Sequence, residues 1–228
     1  MKILVTGAAG LIGKSICETL KPENEIIEAD ILDGYVKLDV TDESNVENYF
    51  NNNNVDVVVH SAYPHTENWG NEFFDVTNEL FCKNIELQLG GAFNIIKHAC
   101  RQFLRTGGGN IVLMGSVSGI MNPRFDTYEG LPMTTPVAYS CIKSGLISLC
   151  KYATKYLAGE NIRVNVVNLS GIFDNQDSTF VKRYKKYCLN KGMLDTEDLT
   201  GLIRFLVSDD SKYINGQGIV IDDGFTLY

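Results

Sequence analysis

Short apolar runs alternate with segments of helical period along most of the chain. Residues 2–6 (KILVT) form a strand-like run that ends in glycines, and residues 11–20 place apolar side chains at helical spacing. Residues 25–30 (EIIEAD) read as a second strand and residues 35–40 as a third. A helix over 42–50 follows, with Thr41 or Asp42 as its cap. Asparagines 51–54 read as a turn into the strand 55–60 (VDVVVH). A long helical region then runs to about Arg105, and glycines 107–109 lead into the strand 110–115 (NIVLMG). Helix 137–157, strand 162–169 (IRVNVVNL), helix 197–207 and strand 218–222 (GIVID) complete the pattern.

Strands that are nearly all apolar, separated by helices, indicate a parallel sheet covered on both faces. The expected fold is α/β: a doubly wound Rossmann fold, one domain over residues 1–228 with about seven parallel strands flanked by helices. Two stretches break the period. Residues 120–136 hold Pro123, Gly130, Pro132 and Pro136 and read as an irregular loop; residues 171–194 are polar and basic with some helical character. Long loops of this kind, at the carboxyl ends of strands, are where such sheets bind substrate.

Composition narrows the function classes. The 228 residues are 44% hydrophobic and 21% charged, ordinary for a globular protein, and no apolar run approaches a membrane span. A formal charge of −8 argues against nucleic acid or an anionic membrane as partner. The N-terminus enters a strand directly, without a secretory pattern, so a cytoplasmic location is expected. The six cysteines and three histidines lack metal-ligand spacing; no metal is expected, and the cysteines read as reduced thiols packed as small hydrophobes.

Two constellations carry chemistry. Between the first strand and first helix stand Gly7, Ala9, Gly10, Leu11, Ile12 and Gly13. Glycines there let backbone N–H groups approach a pyrophosphate at a helix N-terminus. Asp30 ends the second strand, 17 residues past Gly13, placed to accept from ribose hydroxyls and repel a 2′-phosphate. With no Arg or Lys close to it in sequence, NAD is expected rather than NADP. The second constellation is Tyr139 and Lys143, one helical turn apart, with Ser116 at the end of the fifth strand. An ammonium beside a phenol favours the phenolate and makes it a usable acid–base at neutral pH. Spacing alone is weak, since chance supplies roughly 0.7 such pairs in this composition. Tyr187 and Lys191 repeat it in the polar loop, where a solvated surface is the simpler reading.

Taken together these residues resemble the short-chain dehydrogenase/reductase family over essentially the whole chain. Residues 115–119 (GSVSG) look like its catalytic-serine segment, 162–165 (IRVN) like its sixth-strand entry, and 214–217 (INGQ) with 221–224 (IDDG) like its C-terminal signature. The resemblance implies an NAD(P)-dependent oxidoreductase in which Tyr139 is the proton donor or acceptor, Lys143 lowers its pKa and holds the nicotinamide ribose, and Ser116 orients substrate. Gln88 stands near the family's usual Asn, with Asn84 one turn earlier as the other candidate. Cofactor contacts are implied at Asp39, Val40, Ser61, Ala62, Ser170, Gly171 and Ile172 besides the glycine loop. Departures are Ser61-Ala62-Tyr63 for Asn-Ala-Gly, Ser170-Gly171 for Pro-Gly, and a glycine spacing closer to the family's sugar-nucleotide members. That spacing leaves a nucleotide-sugar epimerase or dehydratase open, and a non-catalytic NAD-sensing regulator is the alternative of a different class.

Residues 171–176 (GIFDNQ) and 187–194 (YCLNKGML) are similar to flagellin-modification oxidoreductases of legionaminic-acid-type pathways. That narrower resemblance implies a sugar or amino-sugar substrate in bacterial surface-glycan or flagellin-glycan biosynthesis. Ser118, Arg124, Lys182 and Arg183 are then substrate candidates, the basic ones facing a phosphate. The family also implies a homodimer or homotetramer.

Overall fold

The computed structural model describes residues 1–227. Its seven strands are β1 (Lys2–Thr6), β2 (Glu25–Asp30), β3 (Val36–Lys37), β4 (Val57–His60), β5 (Gly109–Met114), β6 (Ile162–Leu169) and β7 (Gly218–Ile221). They form one parallel sheet in the order β3-β2-β1-β4-β5-β6-β7. The order reverses between β1 and β4, which opens a crevice at the carboxyl ends of those strands.

The helices are α1 (Leu11–Leu20), α2 (Glu43–Asn52), α3 (Asn78–Ile85), α4 (Gly91–Thr106), α5 (Val137–Tyr156), α6 (Ser178–Lys185) and α7 (Glu197–Val207). Successive strand side chains point to opposite faces, so one apolar run feeds two cores. Leu4, Val58, Ile111, Leu113 and Val164 pack against α2, α4 and α5 through Phe50, Ile95, Phe103 and Cys150. Ile3, Val5, Val57, Val59, Val112 and Val167 pack against α1 and α7 through Ile16, Leu20, Leu199 and Ile203. A third cluster lies outside the sheet: Val117, Phe180, Tyr184, Met193 and Phe225 join the two loops and the C-terminal segment.

The single-domain doubly wound fold matches the expectation, with local differences. The third strand pairs over two residues only, at the sheet edge, instead of 35–40. Asn51 and Asn52 extend α2, whose cap is Asp42, accepting from Ser44 N (2.9 Å) and Asn45 N (3.2 Å). The long helical region is broken in two by a π-turn over Glu86–Gly90. Cys17, Cys100 and Cys150 are buried as small hydrophobes, whereas Cys82 and Cys141 are exposed. Arg163 reaches four carbonyls, those of Leu206, Ser208, Ser211 and Ile214, at 3.1–3.3 Å, and so ties β6 to the α7–β7 connection. Among the described residues no helix is long and apolar enough to cross a membrane.

Candidate active site

A cleft of about 970 Å³ opens at the switch point and is lined by the glycine turn, Asp30, Tyr139 and Lys143, with Ser116 just behind its lining residue Gly115. Gly7 has φ +69° and a Cβ there would lie 2.6 Å from the Ala62 backbone, so only glycine fits this turn. A Cβ on Gly13 would overlap the Gly7 carbonyl oxygen. α1 begins at Gly10 with no side-chain cap and no acid in its first turn. The helices α2, α3 and α6, by contrast, are capped by Asp42, Thr77 and Asp177. The first-turn N–H groups of α1 therefore face the cleft with their partial positive charge uncompensated, a fit for a pyrophosphate.

Asp30 closes one end. Its carboxylate accepts from Ala9 N (3.1 Å), Ile31 N (2.8 Å) and Leu32 N (3.2 Å), which holds it against the glycine turn. Lys37, opposite Asp30 across the β2–β3 pair, went unnoticed in the sequence; its ammonium is taken by the Ile31 carbonyl (2.7 Å) and by Asp33 (2.8 Å). Among the described residues lining the cleft, Lys143 is the only lysine or arginine. Asp39, Val40, Ser61 and Ala62 also line it, Ser61 anchored by its hydroxyl donating to Thr6 O (2.7 Å). Ser170 and Ile172 line the opposite wall.

At the reacting end α5 presents Tyr139 and Lys143 on one face, and Ser116 follows β5. Lys143 is buried and donates to Met114 O (2.8 Å); its ammonium lies 5.4 Å from the centre of the Tyr139 ring. Burial depresses its pKa to about 8. Burial raises that of Tyr139, and the hydrogen bond with Ser116 opposes the rise. His60, at the end of β4, bonds Thr6 Oγ1 through Nδ1 (2.8 Å) and is held neutral by burial and by Lys143, its pKa pushed down to about 3.

The two candidates for the relay position separate cleanly. Asn84 is consumed: its Oδ1 accepts from Thr66 N (3.0 Å), and its Nδ2 donates to Thr66 Oγ1 (3.0 Å) and Leu80 O (2.9 Å). Gln88 sits in the π-turn, buried, on the cleft wall, and neither of its amide atoms has a hydrogen-bond partner. A π-turn inserts one residue into a helix and re-aims a side chain, and such turns recur at functional sites.

Several expected residues are not brought to the cleft. Gly171 N is spent on the Tyr184 hydroxyl (2.7 Å), and the residue packs against Met193. Ser118 lies one turn past Ser116, its N–H donated back to the Ser116 hydroxyl (3.1 Å). Arg124 donates to Phe225 O (3.1 Å), with its guanidinium 4.2 Å from the Tyr187 ring centre. Arg183 donates to the carbonyls of Glu129 (2.5 Å) and Thr127 (3.5 Å). Lys182 is exposed on α6, outside the cleft. Backbone carbonyls thus take Arg124 and Arg183, while Lys182 points into solvent outside the cleft.

Sequence reasoning passed over the aromatic group beside Tyr139. The rings of Tyr63 and Trp69 lie 5.9 Å and 6.2 Å from it, both edge-on. The signal was available: Trp69 is the single tryptophan, and Tyr63 and His65 precede it in the connection after β4.

Comparison with known proteins agrees with this geometry. Residues 9–226 match the family model described as Enoyl-(Acyl carrier protein) reductase, adh_short_C2. Post-translational flagellin modification protein A of Campylobacter coli is 34% identical over 99% of this chain and 98% of its own length. A probable galactose dehydrogenase of Rhizobium meliloti is 30% identical over 65% of this chain and 57% of its own. A short-chain dehydrogenase from Leptospira borgpetersenii with bound NAD+ superposes with a TM-score of 0.89 at 29% identity, covering 99% of this chain and 92% of that one. The chain belongs to the short-chain dehydrogenase/reductase family of oxidoreductases.

Proposed function

We propose that this oxidoreductase is NAD-dependent and interconverts a carbinol and a carbonyl on a sugar or amino-sugar derivative, in bacterial surface-glycan or flagellin-glycan biosynthesis. The observation that carries the reading is Tyr139, half-buried beside buried Lys143 in the cleft that also contains the glycine turn, with its hydrogen bond to the buried Ser116. The similarity to a flagellin modification protein and a probable galactose dehydrogenase supports the substrate class.

The residues present fit a dinucleotide. The N–H groups of Leu11, Ile12 and Gly13 would hold the pyrophosphate over the turn that Gly10 closes by donating to Gly7 O (3.1 Å), and Asp30 would hold the adenosine ribose, with Asp39, Val40, Ser61 and Ala62 around the adenosine. Lys143 would take the nicotinamide ribose, beside Ser170 and Ile172. Bound NAD supplies the hydride acceptor or donor. Tyr139 exchanges the substrate hydroxyl proton at its Oη, and Ser116 orients the substrate oxygen toward it. The Lys143 ammonium stabilises negative charge developing on the Tyr139 oxygen once a ligand shields both from water. Gln88, with its amide unpartnered, holds the water through which the proton leaves. The outward faces of α4 and α5, with Phe93, Tyr152 and Tyr156 exposed, support a homo-oligomer.

Purified protein with NAD+ and a panel of hexoses and N-acetylhexosamines is expected to show NADH absorbance, with Asp30→Ala shifting preference toward NADP+. Absence of turnover with any carbinol in either direction would overturn the reading.

A further inference from the structure

The connection between β4 and α3 builds an aromatic group that the reaction described above does not use. Tyr63 lies in the cleft wall, 42% exposed, next to Pro64 and His65. Trp69 backs it: the indole Nε1 donates to the Tyr63 hydroxyl (2.8 Å), and the two rings meet edge-on at 5.9 Å. His65 lies against both, 5.6 Å from Tyr63 and 6.1 Å from Trp69, nearly parallel to the latter. The group is anchored, because Asn84 of α3 grips the backbone and hydroxyl of Thr66 between them. Tyr63 and Trp69 both touch the ring of Tyr139 edge-on, so the flat surface begins where the proton moves.

Charge defines the ligand further. Among the described residues the only lysine or arginine in the wall, Lys143, is committed to Met114 O and lies beside the Tyr63 and Tyr139 rings, 5.5 Å and 5.4 Å from their centres. Asp30, Asp39 and Asp174 line the same cleft. The basic residues of the loops are turned to carbonyls elsewhere or exposed outside it. A phosphate dianion on the substrate would therefore meet no free counter-charge, and carboxylates instead.

We propose that Tyr63, backed by Trp69 and His65, is the platform that selects the substrate, and that it takes an uncharged cyclic polyol, C–H face down, in preference to its phosphate ester. This rests on the carbinol reading above. A pyranose has a C–H-rich face and a rim of hydroxyls. The first matches an aromatic surface held in place before binding, and the second matches the polar groups of Gln88 and Asp174 in the same cleft lining. Tyr63 is a specificity-determining residue here, with no part in proton transfer.

The test uses NAD+-loaded protein and three probe sets: hexopyranoses with N-acetylhexosamines, their 6-phosphates, and the open-chain alditols. Because Trp69 is the single tryptophan, its emission reports ring binding directly. The parent rings are expected to shift that emission and to be used with at least roughly tenfold higher kcat/KM than the 6-phosphates. Tyr63→Leu is expected to lower kcat/KM for the rings roughly tenfold more than for the alditols, through KM, while Tyr63→Phe keeps the wild-type ratio. Should Tyr63→Leu fail to fold, the comparison of parent rings with 6-phosphates on wild type decides alone. Equal use of parent and phosphate, an equal loss on rings and alditols, or no emission change with any ring overturns the platform. Protein that oxidises alditols and ignores rings overturns the platform alone. Protein that binds rings with an emission change yet never reduces NAD+ supports the platform and overturns the oxidoreductase chemistry instead.

Discussion

The chain carries the Tyr-x-x-x-Lys spacing twice, at Tyr139–Lys143 in α5 and at Tyr187–Lys191 after α6, and the two pairs live in opposite surroundings. Lys143 is buried and Tyr139 half-buried in a cleft, with Ser116 and a glycine turn at the same sheet edge. Lys191 is exposed and Tyr187 half-buried with its ring on the loop cluster, and the two polar ends take separate partners. Tyr187 donates to Asp126, and Lys191 pairs with Asp195 and Asp198. Desolvation depresses Lys143, whereas its two carboxylate partners raise Lys191. Spacing on a helix sets only which side chains can meet. What gives the first pair chemistry is removal from solvent beside groups that can use the resulting shift.

The largest expected effect separates the pairs at once. Tyr139→Phe should lower kcat about 10³-fold with the melting temperature essentially kept, because it deletes the proton carrier and leaves its ring packing. Tyr187→Phe should leave kcat/KM within about twofold. Steady-state kinetics on both variants checks this; comparable losses would mean that Tyr187 shares the chemistry.

Lys143→Met probes the burial itself. The folded-state pKa of Lys143 is about 8, below the ordinary 10.5, so between those values the unfolded chain binds more protons than the folded one. Stability should therefore rise in wild type relative to Lys143→Met as pH goes from about 8 to about 10.5, by on the order of 3 kcal/mol in total. Denaturant melts of both proteins across that range would measure it. A flat difference would place the ammonium in water.

How much of this was legible in the sequence follows from how local each determinant is. The glycine turn was readable because its requirements are backbone ones: Gly7 and Gly13 are excluded from being anything larger by atoms of the same turn and of the adjacent strand end. The strands and α5 were readable from apolar period. The third strand was overextended because an edge strand pairs on one side only and can leave its apolar residues exposed, as Val36 shows. The partners of the cations were illegible for a different reason. Arg183 is satisfied by a carbonyl 54 residues away and Arg124 by one 101 residues away, partners that no local pattern announces. The aromatic wall at Tyr63 likewise depends on a loop held by Asn84 across 18 residues.

Arg183 and its neighbour turn that point into a smaller test. Arg183→Ala removes the two bonds to the 120–136 loop and should cost about 1–2 kcal/mol of stability while raising KM a few-fold. Lys182→Ala, exposed on the same helix, should change neither. Equal KM increases in both, in thermal melts and initial-rate assays, would restore the basic run as a substrate contact.

The smallest effect is the sharpest contrast with Lys143. Lys191 has its pKa raised by Asp195 and Asp198, and Asp198 has its own lowered by Lys191. A raised lysine stabilises fully below its unfolded value of 10.5 and loses that contribution as pH climbs through the folded value. A lowered carboxylate stabilises above its unfolded value of 3.8 and loses it as pH falls through the folded one. The contribution of this bridge is thus constant across the neutral range, and solvent screening keeps it small. Lys191→Ala should shift the melting temperature by no more than about 2 °C, by the same amount at every pH from about 5 to about 10, and less at high salt. Lys143→Met must instead show a difference that changes as pH rises above about 8. If the Lys191 difference changes there too, both ammoniums are buried, and burial is not what distinguishes the two pairs.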